Sequence, residues 1–101
     1  MNDYSSIFDA LLQNQDHFTD AHDKPTVLEA QSLVIEFSTA FRNIKRAQRL
    51  QIMSDLVGRK ILTTKDLRVG EIKTLTQMLN NRNFVRDMIE EYGIQMKEQK
   101  A

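Results

Sequence analysis

The sequence contains no cysteine, one proline and three glycines. Without cysteine there is no disulfide framework, no zinc–thiolate centre and no thiol nucleophile. So few prolines and glycines argue against an all-β chain assembled from tight turns, and no Asn-Gly or Asp-Gly pair marks a hairpin. Unbroken apolar runs do not exceed three residues, as at 33–35, which excludes a transmembrane helix and a signal h-region. The opening Met1-Asn2-Asp3 is not a basic leader, and the default expectation is a soluble, cytoplasmic protein. Catalytic signatures are also missing. There is no Gly-rich phosphate loop, no His-Glu-x-x-His, no nucleophile elbow and no calcium loop. The acids are dispersed, and the adjacent Glu90 and Glu91 face different sides of a helix. No enzyme and no cofactor is expected.

What remains is a chain of 101 residues, enough for one domain that buries roughly 65% of its unfolded surface. Helical spacing recurs along it. Tyr4, Phe8, Leu11, Leu12 and Phe18 share a face of a first helix over about 5–18, with Ser6 and Asp9 in the pattern of a start signal. A polar loop over 18–25 contains the proline. Thr26-Val27-Leu28-Glu29 then has the form of a capping box. Beyond it Leu33, Phe37, Ala40, Ile44 and Ala47 trace one stripe, whereas Leu50, Met53, Leu56 and Val57 fall on another side. Either the helix bends or breaks near 45–50, or two neighbours cover the two stripes. Gly58 suits a left-handed helix end.

Thr63 and Asp66 repeat the start signal, and Leu67, Val69, Ile72, Leu75, Met78 and Leu79 form the next apolar set, with Gly70 weakening its first turn. A last helix over 83–92 carries Val85, Met88, Ile89 and Tyr92, stops at Gly93, and leaves a frayed polar tail over 94–101. The expectation is an all-α single small domain over 1–101, with four or five helices in an antiparallel bundle or orthogonal cluster.

The net charge is zero, but it is not evenly spread. Residues 1–36 carry seven acids and one base, residues 37–86 eleven bases and three acids, and residues 87–101 four acids and two bases. Within the basic middle, Arg42, Lys45, Arg46 and Arg49 are spaced i, i+3, i+4, i+7. On a continuous helix they gather nearly opposite the Leu33–Ile44 stripe, close to the C-terminal end where cations meet the helix dipole favourably. Arg59, Lys60, Lys65 and Arg68 are candidate phosphate contacts. Residues 62–80 faintly resemble a helix-turn-helix, although the first helix has barely a turn before Gly70.

Three smaller features have a bland reading beside a functional one. His17, Asp20, His22 and Asp23 have metal-ligand chemistry but no recurrent spacing, and read better as a solvated connection. Met53, Met78, Met88 and Met96 fit core filling better than a binding groove. Tyr4, Phe8 and Phe18 fit packing better than an exposed aromatic anchor.

The sequence therefore points to a small non-enzymatic binding protein, a regulator, adaptor or assembly factor of the kind found among bacterial, phage or plasmid accessory proteins. Its partner is another protein, or a second copy in a homodimer, and no membrane. The expected interface is an apolar patch of Leu50, Met53, Leu56 and Val57 with a basic rim of Arg42, Lys45, Arg46 and Arg49. The second reading is a nucleic-acid-binding transcriptional or replication regulator using the basic segment 42–68.

Overall fold

The computed structural model describes residues 4–15 and 24–95. These form five α-helices and no strand: α1 (Tyr4–Gln15), α2 (Val27–Ala40), α3 (Arg46–Val57), α4 (Val69–Leu79) and α5 (Arg82–Tyr92), with a single 3-10 turn at Thr64–Asp66 before α4. The all-α expectation holds. No helix among the described residues is long and apolar enough to cross a membrane.

Each boundary has a local cause. Thr26 caps α2: its Oγ1 accepts from the Glu29 amide at 3.1 Å, and the Glu29 carboxylate accepts from the Thr26 amide at 2.8 Å. Thr26→Ala removes the acceptor side of this pair and is expected to cost about 1 kcal/mol, read as a lowered thermal midpoint by circular dichroism. Asn81 caps α5, its Oδ1 accepting from Asn83 and Phe84 amides at 2.9 and 3.3 Å. Gly58 and Gly93 end α3 and α5 in the left-handed region, at φ 80° and 63°. Ser6 and Asp9, by contrast, sit inside α1 rather than at its start, because the helix is already formed at Tyr4.

Of the alternatives for 26–57, the break is the one found: the stretch is two helices, α2 and α3. It breaks at 41–45, slightly earlier than the spacing predicts and with no glycine or proline to mark it. Phe41 leaves the helix in an extended conformation (φ −124°, ψ 94°), is fully buried, and packs beside Phe37 with ring centroids 5.9 Å apart. The break frees α3 to turn its own stripe inward, so both apolar sets reach the core.

α4 is the central element and packs on α1, α2 and α5. Val69, Ile72, Leu75, Met78 and Leu79 are buried along it, as are Gly70, Glu71 and Thr74. The Thr74 hydroxyl, fully enclosed, donates to the Gly70 carbonyl at 2.8 Å, which satisfies it within its own helix. Around α4 the core gathers Phe8, Leu33, Phe37, Phe41, Ile52, Met53, Phe84 and Met88. Met53, Met78 and Met88 are therefore core fillers, whereas Met96 lies outside the described residues. Phe8 is core and Tyr4 meets the Phe84 ring edge-on at 5.0 Å; Phe18 lies outside the described residues.

Two phenols staple α5 to the rest. Tyr4 of α1 donates to Asp87, and Tyr92 donates to Asp55 of α3. Burial first, then the Asp55 carboxylate, pushes the Tyr92 phenol well above its ordinary range. The frayed tail expected over 94–101 does not include Ile94, and residues 96–101 lie outside the described residues. Ile94 is buried, and its amide donates to the Ile89 carbonyl at 3.0 Å, closing the helix end around Gly93.

Candidate functional site

The apolar half of the expected interface over 42–57 is largely turned into the core. Met53 is fully buried and Leu56 nearly so, while Leu50 and Val57 are half-buried against the same core. The basic rim is also rearranged. Arg42 lies in the turn after α2, Lys45 is the N-cap of α3, and Arg46 and Arg49 occupy the first turns of α3. The four cations sit on no common helix face, because the helix is interrupted between Arg42 and Arg46. Lys45, Arg46 and Arg49 lie at the N-terminal end of α3, where the dipole opposes them, whereas Arg42 follows the C-cap of α2. The Gln48 side chain offsets part of this by accepting from the Lys45 amide at 2.9 Å. Arg49 is half-buried. Its pKa is lowered, first by burial and then by the neighbouring Arg46 charge.

The candidate phosphate contacts fare differently. Arg59 is engaged by Glu71, with Nη1–Oε2 and Nη2–Oε1 distances of 2.6 and 2.8 Å, and its Nη2 also donates to the Asp66 carbonyl at 2.9 Å. Glu71 is buried on α4, and burial alone raises a carboxyl pKa. The Arg59 fork and the Arg68 amide, at 2.8 Å, outweigh that and hold it below the usual carboxylate range. Glu71 thus has three functions: it completes the first turn of α4, holds Arg59, and fixes the loop that follows α3. Arg59, Lys65 and Arg68 line one cleft of about 500 Å³ together with Lys24, which arrives from the segment before α2. Lys60 is exposed and does not line it.

The helix-turn-helix resemblance does not hold. Residues 64–66 form only a 3-10 turn, and Gly70 lies inside α4 rather than in a turn between two helices; α4 is mostly buried, with Lys73 and Gln77 exposed. The His17, Asp20, His22 and Asp23 cluster lies outside the described residues.

An apolar groove with basic side chains does exist, but elsewhere. Ala40 at the end of α2, Leu79 at the end of α4, and Val85 and Ile89 on α5 form its floor, with Arg82 and Arg86 beside them, around about 410 Å³. Two rows run side by side along α5. Val85 and Ile89 make the apolar row, and Arg82 and Arg86 the basic one, each pair four residues apart and so neighbours on the helix surface. The Arg86 side chain is 71% exposed; its Nη2 donates to Asn83 at 3.2 Å, and its closest carboxylate, Asp87, is 3.9 Å away. Val85 and Ile89, on the expected apolar side of their helix, are only half-buried against the core, and the two arginines enter the sequence only as part of its charge. The paired i, i+4 rows were the available signal.

Leu28 and Ile35, seven residues apart on α2, are 74% and 63% exposed. They share the outer face of that helix, away from the groove floor.

No family model, curated protein or solved structure matches this chain. Function therefore has to be argued from these surfaces alone.

Proposed function

We propose that this chain is a non-enzymatic, cytoplasmic binding protein that takes up an acidic amphipathic helix of a partner protein along α5. The pair of parallel rows on α5 carries this reading: a helix laid in the groove sets its own apolar i, i+4 row over Val85 and Ile89 and its acidic row beside Arg82 and Arg86. The apolar floor supplies affinity, and the arginines supply orientation and association rate. The mode of binding is the one the sequence leads one to expect, an apolar patch with a basic rim, moved from 42–57 to the surface between α2 and α5.

The test uses a labelled 15-residue peptide with leucines at helical spacing flanked by glutamates, and a twin with lysines in place of the glutamates. Fluorescence anisotropy is expected to show binding of the glutamate peptide. Arg82→Glu with Arg86→Glu is expected to weaken it by about tenfold or more, a difference of about 1.4 kcal/mol. Both arginines are exposed, so the thermal midpoint of the double variant should stay close to that of the parent. Equal binding of the two peptides, or no effect of the double variant, contradicts the proposal. Light scattering of the chain alone separates the other occupant: a dimer that the same double variant dissolves assigns the groove to a second copy.

A further inference from the structure

Away from the α5 groove, the second cleft brings together parts of the chain that are far apart in sequence. Lys24 comes from the segment before α2, Arg59 from the loop after α3, Lys65 from the 3-10 turn, and Arg68 from the cap of α4. The lining of this cleft carries four cations and one acid. Arg59 is balanced by Glu71, but Lys24, Lys65 and Arg68 form no ion pair among the described residues. The one acid in the lining, Asp66, is turned to the backbone, its Oδ2 accepting from the Leu62 and Thr63 amides at 2.9 and 3.1 Å. The exposed Lys24, Lys65 and Arg68 give the hollow a positive potential that favours an anionic occupant.

The Arg59 guanidinium adds rigidity. Glu71 and the Asp66 carbonyl fix its plane while occupying three of the five N–H donors that a guanidinium carries. Both bidentate edges of the guanidinium are thereby taken, so Arg59 gives the cleft a fixed positive charge rather than a free fork. The volume, about 500 Å³, is within the range of small-molecule sites and exceeds what a single ion needs.

We propose that this cleft binds a small molecule carrying a diphosphate or triphosphate group. Lys24, Lys65 and Arg68 neutralise the phosphate charges, and the fixed Arg59 guanidinium adds to the positive potential of the wall. The site is separate from the α5 groove, and neither reading depends on the other.

The probe is inorganic pyrophosphate, added to the full chain at low ionic strength and followed by amide NMR shifts. A saturating titration is expected, with the largest shifts at Lys24, Thr26, Arg59 and 65–68. Citrate, which is also multiply charged but lacks phosphate, is expected to bind at least tenfold more weakly. Lys65→Ala with Arg68→Ala changes two exposed side chains and should leave the fold intact. It is expected to weaken pyrophosphate by about tenfold or more, the factor for one lost charge-assisted contact. Arg82→Glu with Arg86→Glu should leave pyrophosphate binding unchanged, so this inference and the docking proposal fail independently. The proposal is overturned if shifts never saturate, if citrate binds equally, or if the Lys65/Arg68 variant binds like the parent. It is also overturned if the cleft residues respond to mixed duplex DNA and pyrophosphate fails to compete.

Discussion

Phe37→Ala is expected to remove about 3–5 kcal/mol of folding stability. Phe37 is fully enclosed on α2, packed on Phe41 and facing the central helix α4. The loss combines the transfer free energy of the ring with the hole left between two helices that cannot close around it. Small domains are stable by only about 5–15 kcal/mol in total, so the variant should be marginal at 37 °C. At about 4–8 °C per kcal/mol for a chain of this size, its thermal midpoint should fall by at least about 12 °C. Ile35→Ala, two residues away on the same helix, is expected to stay within about 0.5 kcal/mol because Ile35 is 63% exposed. Calorimetry of the pair measures both. Similar midpoints for the two variants would contradict the inward face assigned to α2.

Glu71→Ala is expected to cost about 2 kcal/mol. It removes a helix start worth about 1 kcal/mol and leaves the Arg59 fork without its partner. Because the Arg59 side chain is 41% exposed, water reclaims much of its charge, and the full cost of a broken buried pair is not reached. The pH dependence follows from the same contact. The folded-state pKa of Glu71 lies below its ordinary value, so the unfolded chain binds the proton more readily. The contribution is complete above the ordinary carboxylate range and is lost as pH falls through the ordinary value and on through the folded one. Urea melts at pH 7 and pH 3 should show a loss of stability in the parent that is smaller in Glu71→Ala. An equal loss in both would show that Glu71 does not supply the acid sensitivity.

Much of the fold is legible from local pattern. The Thr26–Glu29 box, the inward row of α4 and the glycine ends of α3 and α5 depend on contacts within a few residues, and spacing reports such contacts directly. Phe41 shows where that stops. Within a helical projection it is one apolar residue off the stripe. Only the packing of α2 against α4 makes it worth leaving the helix to bury the ring. The misplaced interface follows from the same residue, since one uninterrupted helix leaves Met53 and Leu56 outside and gathers Arg42 with Arg46. The Arg59–Glu71 pair spans twelve residues and two elements, and no periodicity carries it. Lys24 joins the cationic cleft from even further away. The groove on α5 was written in its i, i+4 rows, but which row faces outward depended on where α2 ends.

The central claim is that α5 and the end of α2 form a docking groove for an acidic helix. Methyl NMR of the chain with the glutamate-flanked peptide tests it most directly. The account predicts that the Ala40, Leu79, Val85 and Ile89 methyls shift and saturate, while those of Leu50, Met53, Leu56 and Val57 stay in place. Shifts confined to the second set, or no shift at about 1 mM peptide, where even binding of about 4 kcal/mol is detected, would contradict it.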